Sequence, residues 1–254
     1  MSIKILSIGN SFSEDTMAHT AEILKDIGIC DFKLGNLYIG GCSINRHYKN
    51  ITNDIADYIY YTNTGDGWNK KEKVGIAEAI RDAEWDIISI QHGTGDKSRY
   101  TSEESYQNLA PLIDFVKSLA KDGVKIAFNM AWVAEPDSTH HEIVSYGGDQ
   151  ALMYKNLTAL TENVVAPLVD IVSPVGTAVQ NARTSIEKKL TRDDFHLSYD
   201  LGRYIGGLTF LKALCGCDID RAAWCPDGVS EEEREIAKKA ANLAILQPYA
   251  VTSI

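Results

Sequence analysis

The sequence predicts an α/β protein, a parallel sheet of about five strands with helices on both faces. Three observations carry that prediction. Short apolar runs bounded by turn formers alternate with longer stretches of helical spacing. The first run, Ile3-Lys4-Ile5-Leu6-Ser7-Ile8, passes into a helical pattern through the turn formers Gly9-Asn10-Ser11-Phe12-Ser13. The chain's 254 residues, 44% hydrophobic and 24% charged, suffice for one core of this class.

The elements follow in order. After the first strand, Met17, Ala21 and Leu24 recur at helical spacing, with Ser13 suited to the N-cap, Glu14 and Asp15 to the positive helix start, and Gly28 to its end. A strand is expected near 32–39, a helix near 74–84 and a strand over 86–91. Next come a helix near 103–121 closed by Gly123, a strand over 124–132, a helix near 150–164 and a short strand near 169–172. Two C-terminal helices, near 199–214 and 230–246, complete the alternation. Residues 57–73, with Tyr58, Tyr60, Tyr61 and Trp68 among polar neighbours, break the rhythm and read as an insertion in a single domain spanning 1–254.

Charge and cysteine usage narrow the function classes. A net charge of -10 repels phosphate backbones and anionic lipid surfaces, so neither nucleic acid nor membrane is an expected partner. No apolar run is long enough to span a bilayer, and no signal peptide is visible before the first strand, so a cytoplasmic location is expected. Cys30, Cys42, Cys215, Cys217 and Cys225 are odd in number and lack Cys-x-x-Cys spacing, which suggests neither a disulfide set nor a zinc knuckle. His19, His47, His92, His140 and His141 show no His-x-x-x-His spacing, and neither a metal nor a cofactor is expected.

In open α/β sheets ligands bind beyond the carboxyl ends of the strands. Ser11, Gly40-Gly41, Gln91 and Trp132 all fall there. Taken alone, Ser11 is an ordinary turn former or helix cap. A serine hydroxyl becomes a nucleophile only with a base, a carboxylate that orients the base, and donors for the oxyanion. Two Asp-x-x-His stretches offer the pair: Asp137 to His140 and Asp193 to His196. Asp193-Asp194-Phe195-His196 lies just before the helical pattern of Leu201, Tyr204, Ile205, Leu208 and Leu211, which fixes it at the mouth of the sheet. Asp137, His140 and His141 read as solvated loop residues.

Ile5-Leu6-Ser7-Ile8-Gly9-Asn10-Ser11-Phe12-Ser13 resembles the first block of SGNH/GDSL hydrolases, and Asp193-Asp194-Phe195-His196-Leu197-Ser198 their last. Gly-Asn-Ser-Phe-Ser, Gly40-Gly41-Cys42-Ser43 and Trp-Asp-Ile-Ile-Ser-Ile-Gln further resemble an uncharacterised bacterial branch of that superfamily. The resemblance implies a flavodoxin-like three-layer α/β/α sandwich, with Ser11 as nucleophile, His196 as base and Asp193 as its orienter. It also implies that the Ser11 and Gly41 backbone N–H groups are oxyanion donors. The usual Gly-x-Asn-Asp block is replaced by Gln91-His92-Gly93-Thr94-Gly95-Asp96. Direct alignment sets Gly95 at the Asn donor position, whereas Gln91 has a side-chain amide and is the favoured substitute.

Asn10, His47, His92 and Trp132 are weaker candidates for substrate contact, and Arg203 is expected to pair with a carboxylate. The expected reaction is hydrolysis of a small carboxylic ester, acetyl foremost, on a small molecule or a saccharide. Two other readings remain. The fold could bind glycans without cleaving them, or the hydroxyls of Ser11, Ser13 and Thr16 could cradle a flavin phosphate in a flavodoxin-like protein.

Overall fold

A computed structural model describes residues 2–94 and 101–254. Among these residues seven strands, β1 (Ile3–Gly9), β2 (Phe32–Tyr38), β3 (Tyr58–Asn63), β4 (Asn69–Val74), β5 (Ile87–Ile90), β6 (Lys125–Asn129) and β7 (Ile171–Ser173), form one sheet in the order β4-β3-β2-β1-β5-β6-β7. The run β2-β1-β5-β6-β7 is parallel, which supplies the five parallel strands expected. β3 and β4 add an antiparallel hairpin at one edge.

Most of residues 57–73, the expected insertion, form this hairpin and extend the sheet. β4, Asn-Lys-Lys-Glu-Lys-Val, is exposed at every residue but the last. Lysines on an edge strand deter pairing with other chains, and they also erase the apolar alternation by which strands are recognised.

Among the described residues there are ten α-helices: α1 (Ser11–Met17), α2 (Thr20–Asp26), α3 (Ile44–Thr52), α4 (Ile76–Arg81), α5 (Leu109–Leu119), α6 (His141–Val144), α7 (Gln150–Leu160), α8 (Val175–Ala182), α9 (Leu201–Cys215) and α10 (Glu231–Leu246). Strand side chains alternate between two cores. Ile3, Ile5 and Leu34 pack with α1, α2, α8, α9 and α10, whereas Leu6, Ile8, Leu37, Ile88 and Ile90 pack with α3, α4 and α5. The result is the expected three-layer α/β/α sandwich. α3, α6 and α8 fall outside the expected elements. For α3 the signal was present, a Ser43 cap followed by Ile44, His47, Tyr48 and Ile51 at helical spacing.

The cap of α1 also differs from expectation. Asn10 is the N-cap, and Ser13 sits at N3 of a reciprocal capping box in which its hydroxyl accepts from Asn10 N–H at 3.0 Å. Below α1 the α1 side of the sheet is polar. Ser13 Oγ–H reaches Asn36 Oδ1 at 2.8 Å, and Asn129 Nδ2 donates to Thr16 Oγ1 at 3.0 Å. These hydroxyls are committed to seating the helix, so the Ser11-Ser13-Thr16 cradle for a flavin phosphate is not formed. Because the chain leaves β1 for β2 on one side and returns at β5 on the other, a crevice opens at the carboxyl ends of these three strands.

Candidate active site

Ser11 is the first residue of α1, at the mouth of that crevice. The sharp strand-to-helix turn depends on Gly9, where a Cβ would lie 2.3 Å from Ser13 Oγ. Asn10 locks the turn with both ends of its side chain. Its Oδ1 accepts from Phe12 N–H at 2.9 Å and its Nδ2 donates to Cys42 O at 3.0 Å, tying α1 to the Gly40-Gly41 loop. Asn10 lines the cavity as a cap with both side-chain groups engaged.

From the far end of the chain, His196 Nε2 comes to 2.9 Å of Ser11 Oγ, and its Nδ1 to 2.7 Å of Asp193 Oδ2. With Nδ1–H donating to the carboxylate, Nε2 is left as the acceptor for the serine proton. The loop geometry follows from its residues. Asp193 Oδ1 accepts the backbone N–H groups of Phe195 at 3.2 Å and His196 at 2.6 Å, and Asp194 turns the chain at φ +64°. Burial pushes the Asp193 carboxyl up, but the hydrogen bonds from the His196 backbone and ring outweigh it and hold the group below its ordinary value.

Two anchors fix this loop. On one side Trp132 Nε1–H donates to Phe195 O at 2.6 Å, and the Trp132 ring meets Phe12 edge-on at 4.9 Å. Trp132 is fully buried, so it holds the histidine loop and does not floor a substrate pocket. On the other side stands Asp15, one turn along α1 from Ser11 and 0% exposed. Its carboxylate accepts Leu197 N–H at 3.0 Å, Arg192 Nη1 at 2.9 Å and Arg203 Nε at 2.8 Å. Arg203 thus pairs with a carboxylate as expected. Asp15 itself had looked like an ordinary helix-start acid. Its signal was a carboxylate four residues after the serine on a short helix with arginines at 192 and 203.

A cavity of about 290 Å³ opens over Ser11, lined among others by Gly41, Gly93, Thr94, His140 and His196. Gly93 lets the β5 loop close against its neighbours, since a Cβ there would lie 2.6 Å from Asn10 Nδ2 and 2.7 Å from Cys42 O. Gln91 does not line this cavity. Its side chain turns into the polar layer under α1, where Oε1 accepts from Asn129 Nδ2 at 2.7 Å and Nε2 faces His92 O at 3.4 Å. The expectation that its amide faces the oxyanion is corrected: a buried amide beside Asn129 is satisfied there, and an unpaired Asn129 would be costly. Gly95 and Asp96 lie outside the described residues.

The remaining histidines are redistributed. His47 is buried, stacked on Tyr58 with Nδ1 at 2.8 Å from its hydroxyl, and burial lowers its pKa to about 3. His92 is buried with Nδ1 on Gly93 O, and burial lowers it to about 4. Neither lines the cavity, so both expected substrate contacts are corrected to structural roles. His140, read as a solvated loop residue, lines it instead, stacked on Phe195 at 3.8 Å between ring centroids. Burial, then the His141 and His196 rings, lower His140 to about 4, so it is neutral at physiological pH.

The arrangement can move a proton from a hydroxyl to an imidazole next to a small cavity. A profile of a domain of unknown function, DUF4886, matches residues 4–244. The chain belongs to the DUF4886 family. A DUF4886 family protein from Bacteroides uniformis is 30% identical, with a TM-score of 0.94 over 100% of this chain and 98% of that one. A member of the lipolytic G-D-S-L family from Veillonella parvula shares the fold at 14% identity and TM-score 0.52, covering 84% of this chain and 98% of its own. An acetylxylan esterase from Geobacillus stearothermophilus does so at 14% identity and TM-score 0.52, covering 83% and 93%. No curated protein matches. The likeness to these two proteins is one of fold, the three-layer α/β/α sandwich. Among the described residues no helix is long and apolar enough to cross a membrane.

Proposed function

We propose that this DUF4886 protein is a serine hydrolase of small carboxylic esters, acetyl esters foremost, acting through an acyl-enzyme. The observation that carries the reading is the unbroken contact Ser11 Oγ to His196 Nε2 at 2.9 Å and His196 Nδ1 to Asp193 Oδ2 at 2.7 Å. Ser11 Oγ attacks the ester carbonyl as its proton passes to His196 Nε2, and Asp193 stabilises the imidazolium. The oxyanion is held by the Ser11 N–H at the start of α1 and the Gly41 N–H. Collapse breaks the ester bond, and His196 returns the proton to the departing alkoxide. A water, deprotonated by His196, then attacks the acyl-serine; on collapse Ser11 recovers that proton from His196, and the carboxylic acid leaves and loses its own proton to solvent.

Gln91 has no part in this scheme. His140, neutral and at the cavity wall, is suited to hydrogen-bond the substrate. The 290 Å³ cavity lies just under the roughly 300 Å³ at which pockets for drug-sized ligands begin, which favours a short acyl group. The named activity of the acetylxylan esterase, and the aromatic hairpin of this chain, support a saccharide as the alcohol.

A fluorophosphonate probe should label Ser11 in the folded protein, and Ser11→Ala should lower turnover of p-nitrophenyl acetate by at least about 10³-fold. An unlabelled Ser11, or a fully active Ser11→Ala, rejects the proposal. The withdrawal of Gln91 from the cavity favours one second reading, glycan binding without cleavage. Direct binding of acetylated sugars with no turnover over a panel of them would select it.

A further inference from the structure

A second cavity, of about 240 Å³, lies beside the first and has no role in the chemistry above. Glu14, Met17 and Ala18 of α1 form one wall, and Tyr61 and Trp68 of the β3–β4 hairpin another, with Asn36 and Arg203 also lining it. Two periodicities place it. Along α1, Ser11, Glu14 and Ala18 stand at i, i+3 and i+7, so the stripe that carries Ser11 continues into this cavity, reaching Glu14 about 4.5 Å along the axis. Across the sheet, Asn36 pairs with Tyr61 and Tyr38 with Ile59. Alternation therefore sets Asn36, Tyr38 and Tyr61 on the face that α1 covers.

Tyr38 stands between the Gly40-Gly41 loop, whose Gly41 lines the first cavity, and Tyr61, which lines the second. Tyr38 meets Tyr61 edge-on at 6.2 Å, and its hydroxyl lies 3.5 Å from where a side chain on Gly40 would begin. An aromatic path thus runs from the Gly40-Gly41 loop to Tyr61 and Trp68. The hairpin that builds it is held in place: Lys25 Nζ donates to Gly65 O at its tip, and Gly65 and Gly67 take the positive φ angles, +115° and +99°, that return the chain to Trp68.

The lining combines aromatic faces with a carboxylate, an amide and a guanidinium. A hydrocarbon chain seated there would strip water from Glu14 and Arg203 and offer nothing in return. A ring bearing hydroxyls offers C–H faces to Tyr61 and Trp68 and hydrogen bonds to Glu14 and Asn36. At about 240 Å³ the volume is below that of drug-sized pockets and suits one ring, not a chain of several. We propose that this cavity is the leaving-group subsite, holding a single pyranose ring whose O-acetyl group reaches Ser11. The inference rests on Ser11 acting as an ester-cleaving nucleophile, and it adds the place of the alcohol, its size of one ring and the residues that select it.

The test compares the full chain with Trp68→Ala and Tyr61→Ala on three substrates: an O-acetylated methyl pyranoside, p-nitrophenyl acetate and p-nitrophenyl butyrate. In each variant the kcat/KM ratio of pyranoside ester to p-nitrophenyl acetate should fall about tenfold or more. Equal losses on both acetates, or a larger change in the butyrate-to-acetate ratio, overturns the subsite. Saturation-transfer NMR of the same pyranoside ester on Ser11→Ala protein gives a readout independent of turnover. Its signal should vanish when Tyr61 and Trp68 are also replaced, and persistence overturns the proposal. A signal that depends on these residues, in a protein that cleaves no ester, keeps the subsite and rejects the esterase reading. Ester cleavage with neither a signal nor a ratio change does the reverse.

Discussion

Asp137 to His140 and Asp193 to His196 share one spacing and border one cavity, yet the fold uses them in opposite ways. In the second stretch Asp193 caps its own loop, and the carboxylate that accepts the His196 N–H also orients its ring. In the first, Asp137 turns outward to Lys189 at 2.8 Å, and His140 spends Nδ1 on the Glu142 N–H that opens α6, at 3.3 Å. The same letters give an imidazole oriented toward Ser11 in one loop and a neutral cavity wall in the other. The difference lies in the partners that each loop meets. Asp15, Arg192 and Trp132 hold the second loop beside Ser11, whereas in the first Asp137 pairs with Lys189, which also reaches Asp194 of the second loop at 2.6 Å.

The comparison is broken most directly at the histidines. His196→Ala should cost about 10⁴-fold in kcat on p-nitrophenyl acetate. His140→Ala should cost about tenfold at most, chiefly through KM, as for a group that contacts the substrate without moving the proton. Steady-state kinetics on both variants decide this, and equal losses would mean the two stretches are not functionally distinct.

Next in size is Asp15→Asn, which leaves the guanidinium groups of Arg192 and Arg203 facing a neutral amide in a buried site. Stability should fall by about 3 to 5 kcal/mol in urea unfolding, and kcat should fall with it in the protein that remains folded. A variant with unchanged stability would remove Asp15 as the clamp on the second loop.

The pH dependence of stability sharpens the contrast from outside the site. His47 and His92 are neutral in the fold, with pKa values lowered by burial to about 3 and about 4 from an ordinary 6.5. Above pH 6.5 neither state binds these protons and the two residues add no pH dependence. As pH falls below 6.5 the unfolded chain binds protons that the fold refuses, so each residue removes about 1.4 kcal/mol of stability per pH unit. Together they give a slope of about 2.7 kcal/mol per unit down to about pH 4, where His92 ceases to contribute, and His47 continues to about pH 3. Urea midpoints at pH 7.5, 6 and 5 measure it, and a flat profile would contradict their burial as neutral rings. The smallest effect belongs to Asp137→Asn. Its exposed pairing with Lys189 is screened by water, so the substitution should leave the urea midpoint unchanged within error in the same assay.

How much of this was legible beforehand depended on whether a signal was local. Strand periodicity, the Gly-Asn-Ser turn and the capped α10 are written in residues within a few positions of each other, and they gave the five parallel strands and the sheet edge where Ser11 emerges. β4 hid because its residues are those of a protected edge, chosen to face water. Gln91 misled for another reason: an amide at a strand end is equally suited to an oxyanion or to a buried neighbour, and only the presence of Asn129 beneath α1 decides between them. The same holds for Asp15, whose arginine partners are 177 and 188 residues away in the chain.

The sequence by itself determined the layered sandwich, the turn that exposes Ser11 and the carboxylate-histidine spacing that can orient a base, because each arises from backbone preferences and side chains in immediate reach. The tertiary structure alone decided that His140 borders the same cavity as Ser11, which glycine must lack a side chain, and where the aromatic hairpin lies relative to α1. Those outcomes depend on contacts between elements far apart in the chain, and burial and hydrogen-bond satisfaction choose among them only once the sheet has brought the loops together.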